Sequence, residues 1–169
     1  MNTTQFERID KITDNIFLGD LTYASNIEIL KNKKISSIIS LCGKLSPKYS
    51  STFNQKIIYI EDLPSENIIQ YFKECIEFIE KNQKIYIHCL YGISRSPTIV
   101  IAYLMWKKHS SYYDTLYFVK KIRDFINPNG GFTQQLKIFD KLLKDNDYDL
   151  NKIDFNNIKK HGKSEYFDW

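Results

Sequence analysis

At 169 residues the chain has room for one compact domain with a full core, and too little for two of ordinary size. Its 43% hydrophobic and 26% charged residues are ordinary for a soluble globular protein, and the longest apolar run, Ile99 to Trp106, is far short of the ~20 residues of a membrane helix. The net charge of +4 includes no block of Lys and Arg, so a nucleic-acid partner is not expected, while a mildly basic body suits an anionic substrate.

The elements alternate between strand-like and helix-like along the chain. Ile12 to Leu18 reads as extended and is broken at Gly19. Ser25-Asn26-Ile27-Glu28 has capping-box spacing and predicts a short helix through Lys31. Ile35 to Leu41 is β-branched and apolar, a buried strand, and Lys56 to Ile60 is another. Between Glu66 and Lys81 the apolar residues Ile68, Phe72, Cys75, Ile76 and Ile79 recur on one helical face. Lys84 to His88 is a short strand that leads directly into Cys89.

Pro97 suits the first turn of a helix, which continues as the nearly all-apolar Thr98 to Lys107 and so must be buried. Ser111 and Asp114 cap a helix over Thr115 to Phe125. Asn127-Pro128-Asn129-Gly130-Gly131 ends it, and Phe132 to Lys144 is the last amphipathic helix. Beyond Asp145 the periodicity fades, although Phe155, Tyr166, Phe167 and Trp169 suggest a tail that docks. The fold class is α/β: a single domain with a central, mostly parallel sheet flanked by helices. The domain is assigned to residues 6–147 and the tail to 148–169.

Cys42, Cys75 and Cys89 are odd in number and lack a C-x-x-C pair, which fits neither a disulfide framework nor a zinc site. With no secretory signal at the start, the chain is expected to be soluble and intracellular, in the cytoplasm, where thiols stay reduced. Cys75 reads as core. Cys42, after a strand, reads as an inert small residue, with an oxidative link to Cys89 as the rarer alternative.

The chemistry concentrates in His88-Cys89-Leu90-Tyr91-Gly92-Ile93-Ser94-Arg95-Ser96. A cysteine at the carboxyl end of a buried strand, just before a helix, stands where open α/β sheets bind ligands. Five residues separate Cys89 from Arg95. A loop of that length, Leu90 to Ser94, can turn its backbone N–H groups inward as a nest for a tetrahedral anion. The following helix N-terminus adds positive potential, and Gly92 permits the tight turn. The same field favours a thiolate over a thiol. Arg95 presents a planar fork for two oxygens of a phosphate.

His-Cys-x5-Arg-Ser resembles the signature of the protein tyrosine phosphatase superfamily. Gly-Ile-Ser-Arg-Ser-Pro, Ala102-Tyr103-Leu104-Met105, Pro128-Asn129 with Gly131-Phe132, Ile16-Phe17-Leu18-Gly19, and Asn67 with Tyr71-Phe72 are similar to its small dual-specificity branch. The resemblance implies Cys89 as nucleophile, Arg95 as phosphate clamp, Asp62 as general acid and then base, and Ser96 as hydrogen-bond donor to the sulfur. Leu90, Tyr91, Gly92, Ile93, Ser94 and Arg95 would bind the phosphate. His88 would orient the loop without acting as acid or base, and neither a metal nor another cofactor enters. Glu61 is the rival of Asp62. Tyr91 departs from the small or acidic residue usual in the family and bears on substrate selectivity.

The implied partner is a phosphorylated protein carrying phosphotyrosine, phosphoserine or phosphothreonine. Two alternatives remain: the same chemistry on a phosphoinositide, a glycan phosphate or an RNA 5′-triphosphate, or a non-catalytic phosphoresidue-binding module.

Overall fold

In the computed structural model, which describes residues 8–47, 49 and 52–161, five strands form one sheet in the order β1-β2-β5-β3-β4. The strands are β1 (Asp10–Lys11), β2 (Ile16–Gly19), β3 (Ser37–Ser40), β4 (Asn54–Ile57) and β5 (Ile85–His88). All neighbours run parallel except the edge strand β1, which is antiparallel to β2. Gly19 and Ser40 both pair with His88, so the carboxyl ends of β2, β3 and β5 finish level with one another. The sheet is α/β and mostly parallel, as expected.

Strand periodicity separates two apolar layers. Phe17, Ile38 and Tyr86 face one side, with Ala24, Leu30, Ile35, Tyr49 and Phe53 packed on them. Their neighbours Ile16, Leu18, Ile39, Ile85 and Ile87 face the larger core on the other side. Burial on both faces is what a near-continuous apolar strand requires. Helices α1 (Leu21–Ala24) and α2 (Ile27–Asn32) cross from β2 to β3 on the smaller side. On the larger side lie α3 (Phe72–Lys81), α4 (Arg95–Lys108), α5 (Tyr112–Ile122) and α6 (Gly130–Asp145). Residues 95–105 of α4 are all buried, and the helix packs on β2, β5, α3, α5 and α6. It is the central helix its composition demands.

Several boundaries differ from the sequence pattern. Of the stretch expected to be extended, Ile12 to Leu18, only the part from Ile16 is strand; a turn over residues 12–15 joins it to β1, and there the Thr13 hydroxyl accepts from the Ile16 amide at 3.1 Å. The cap of α2 is Asn26, accepting from the Ile29 amide at 3.2 Å, and not Ser25. Ser25 is used up in closing α1, donating to the Leu21 carbonyl at 2.9 Å. The helix expected from Glu66 begins in earnest at Phe72 after a 3-10 turn over Ile69–Tyr71. Gln135 of α6 holds that entry open: it accepts from the Ile69 amide and donates to the Glu66 carbonyl. The first two shifts come from local side-chain bonds, and the third from the long-range bonds of Gln135.

Beyond α6 the chain stays on the body. Leu150 and Ile153 are buried in the larger core, and a further helix, α7 (Phe155–His161), sets Phe155 6.1 Å from Phe139. Tyr166, Phe167 and Trp169 lie outside the described residues. No helix among the described residues is long and apolar enough to cross a membrane.

Candidate active site

The central strand β5 delivers Cys89 to the level edge of the sheet, and α4 starts six residues later at Arg95. The intervening loop turns at Gly92, whose φ of 64° is left-handed. A Cβ at Gly92 would stand 2.4 Å from the Gly19 carbonyl oxygen, so glycine is required on two counts. Leu21 also donates its amide to the Leu90 carbonyl, tying the start of α1 to the loop.

Cys89 is 2% exposed, and two donors converge on its Sγ: the Ser96 hydroxyl and the Gly92 amide, both at 3.2 Å. Leu90 and Ile93 are half-buried, Gly92 and Ser94 are buried, and the Tyr91 ring stands out into solvent at 62% exposure. Arg95 is buried and donates from Nη1 to the Ile60 carbonyl at 3.2 Å. Its Nε, equally buried, has no hydrogen-bond partner among the described residues. A buried guanidinium N–H without a partner is costly unless a ligand oxygen takes it.

His88 lies beneath the loop. Nδ1 is 3.3 Å from the Cys89 carbonyl oxygen, Nε2 is 2.7 Å from Ser40 Oγ, and the Tyr49 hydroxyl is 3.3 Å from the same nitrogen. Burial lowers its pKa to about 4, so the ring is neutral at pH 7. A neutral ring that donates from Nδ1 to Cys89 leaves Nε2 to accept from Ser40. Tyr86 stacks on it at 5.5 Å. Cys42 Sγ is 3.6 Å from His88 Nδ1, and burial pushes the Cys42 thiol up to about 12. Cys42, Cys75 and Cys89 are all free.

Asp62 reaches the loop from the segment after β4. Its Oδ1 accepts from the Ser94 hydroxyl at 2.7 Å and from Asn129 Nδ2 at 2.8 Å. The carboxylate itself is exposed. Glu61 is also exposed and makes no hydrogen bond or ion pair among the described residues. The segment rests on the start of α6: a Cβ at Gly131 would fall 1.9 Å from the Pro64 carbonyl oxygen. Thus Cys89, Ser96, Gly92 and Arg95 share one buried cradle, with Asp62 hinged to it through Ser94.

Two residues of this arrangement escape sequence reasoning. Asn129 stands out there as a turn residue and as part of the family-like Pro128-Asn129 motif, with no role attached, yet it caps α6 through the Phe132 amide while gripping Asp62. Arg123 carries no local signal, yet it is fully buried against the loop.

A buried cysteine under the Gly92 amide and the Ser96 hydroxyl, beside a buried arginine at the head of a central helix, is an arrangement chemically able to receive an oxyanion at the carboxyl edge of an α/β sheet. Residues 16–141 match the family described as dual specificity phosphatase, catalytic domain, and the chain belongs to that family. It is 36% identical over 141 residues to the Drosophila melanogaster dual specificity protein phosphatase MPK-4, covering 79% of this chain and 36% of that protein. It is 34% identical over 140 residues to dual specificity protein phosphatase 1 of Arabidopsis thaliana, covering 80% and 71%. Among solved structures, the human tyrosine phosphatase-like serine/threonine/tyrosine-interacting protein superposes with a TM-score of 0.76 at 31% identity, covering 80% of this chain and 97% of that one. The chain spans about a third or less of the length of several curated relatives.

Proposed function

We propose that the protein hydrolyses phosphate monoesters on phosphoproteins, accepting phosphotyrosine as well as phosphoserine and phosphothreonine, in a cytoplasmic setting that keeps its thiols reduced. The observation that carries this reading is the pairing of a buried Cys89 Sγ, under two donors at 3.2 Å, with a buried Arg95 whose Nε is unbonded among the described residues. Family membership supports the same reaction class.

In the first step the Cys89 thiolate attacks phosphorus in line, an S–P bond forms and the P–O bond to the substrate breaks. Asp62 gives a proton to the departing oxygen. Inward amides and the Arg95 fork bind the equatorial oxygens more strongly as charge builds on them. In the second step water attacks the cysteinyl-phosphate, Asp62 takes its proton, and the sulfur leaves as thiolate, eased by the Ser96 hydroxyl. Oδ1 of Asp62 already accepts two bonds, which leaves Oδ2 to carry the proton. The buried neutral His88 fits a supporting role beneath the loop, not one in proton transfer.

The test is a rate comparison on phosphotyrosine, phosphothreonine and phosphoserine peptides, inositol phosphates and an RNA 5′-triphosphate. Faster turnover of the peptides, abolished by Cys89→Ser, supports the proposal. Faster turnover of a non-protein phosphate overturns its substrate class, and binding without turnover overturns the reaction.

A further inference from the structure

Arg123 directly follows α5, yet its side chain is wholly buried against the Cys89 loop. Nε donates to the Gly92 carbonyl at 2.9 Å and Nη2 to the Tyr91 carbonyl at 3.3 Å. Nη1 is held in turn by the Arg8 carbonyl at 2.9 Å and Asp10 Oδ2 at 2.8 Å. Phe125 lies against the guanidinium, 4.4 Å from ring centroid to Cζ. Among the described residues, one planar fork thus gathers oxygens from two separate segments, which a lysine could not reproduce.

A trans peptide is planar, with its C=O and N–H pointing in opposite directions. Fixing the Tyr91 carbonyl on Arg123 therefore turns the Gly92 N–H the other way, and that N–H is the one donating to Cys89 Sγ at 3.2 Å. Fixing the Gly92 carbonyl turns the Ile93 N–H away from Arg123 in the same manner. Gly92 has no alternative place to go, because a Cβ there would also lie 2.5 Å from Arg123 Nη2. We infer that Arg123 is a positioning residue: it sets the direction of two successive amides of the oxyanion cradle and anchors that setting to the N-terminal edge of the sheet through Asp10. This rests on the reading of the loop as a phosphate cradle.

The experiment is calorimetric titration of the full chain with tungstate, a tetrahedral oxyanion, alongside the pH profile of Cys89 alkylation by iodoacetamide. Wild type, Arg123→Met, Arg123→Lys and a control core truncation remote from the loop, Ile153→Ala, are compared under conditions where each is folded by circular dichroism. Arg123→Met is expected to bind tungstate ~10–100-fold more weakly and Arg123→Lys ~3–10-fold, because lost amide alignment weakens charge-assisted bonds. Their alkylation profiles move to higher pH, while Ile153→Ala follows wild type. If the methionine variant does not fold, the lysine variant decides. A folded Arg123 variant with tungstate affinity within ~2-fold of wild type and an unmoved profile overturns the inference while leaving the cradle intact. Wild type that binds no tungstate overturns the cradle reading and the inference together.

Discussion

The Cys89 loop and the Asp62 segment are joined through the Ser94 hydroxyl and through Arg95 at the Ile60 carbonyl, and are otherwise built on opposite plans. Apart from the Tyr91 ring the loop is largely buried, and it is held by His88 at the Cys89 carbonyl, by the Ser96 hydroxyl at the sulfur and by Arg123 at the Gly92 carbonyl. The Asp62 segment is exposed from Glu61 to Pro64, and its carboxylate is held by two hydrogen bonds. A nucleophile that must stay ionised and aligned calls for preorganised dipoles that cannot relax. An acid that must reach a leaving group and then a water needs a fixed pivot and a free oxygen. The contrast predicts that substitutions in the loop act on all of the chemistry, and those in the segment on one proton transfer.

The largest effect is expected at Cys89. Cys89→Ser should fold and still bind phosphopeptide while showing no detectable turnover, as measured by phosphate release and by calorimetry. Next comes Asp62→Ala, with a loss of ~10²–10⁴ in kcat on an ordinary phosphopeptide. The loss should shrink on an aryl phosphate whose phenol is acidic, since that leaving group needs no proton. An equal loss of kcat/KM on both substrates, which reports only the steps through P–O cleavage, would contradict proton donation by Asp62. A still smaller effect, roughly 3–30-fold in kcat, is expected for Asn129→Ala, from losing one of the two bonds that hold Asp62. In an Asp62→Ala background the Asn129 effect should vanish, and a double-mutant cycle with no coupling would break the proposed hinge.

The rear of the loop also has a pH signature. His88 is neutral when folded, with a pKa of about 4 against 6.5 for the free ring. Between those values the unfolded chain binds the extra proton, so stability is full above pH 6.5 and falls as the pH drops toward 4. From pH 7 to 5 this one group should cost about 2 kcal/mol. The value follows from urea unfolding at both pH values for wild type and for His88→Asn, whose difference isolates it. A pH dependence unchanged in the variant would contradict the buried neutral ring.

How far these regions can be read from sequence differs in the same way. The β-branched, apolar composition of Ile35–Leu41 marks a buried strand, and the helical period of Phe72, Cys75, Ile76 and Ile79 shows which side of α3 is buried. The anion loop is legible because its residues are contiguous and its geometry is local. Asn26 in place of Ser25 as the cap of α2 is not, since the preceding helix α1 takes Ser25 for itself. Arg123, and the partner of Asn129, are illegible for a stronger reason: each acts on a residue 31 or 67 positions away, through contacts only the folded chain creates. The late start of α3 has the same origin in Gln135. Long-range hydrogen bonds leave no periodicity.

The most direct test is to trap the covalent intermediate by acid quench during turnover of an aryl phosphate with an acidic phenol by the Asp62→Ala variant: that leaving group needs no proton, so the S–P bond still forms, while no Asp62 is there to activate water. Peptide mass spectrometry should find phosphate on the Cys89 sulfur, and none in Cys89→Ser. Phosphate release at the wild-type rate with no label ever found on Cys89 would contradict the account.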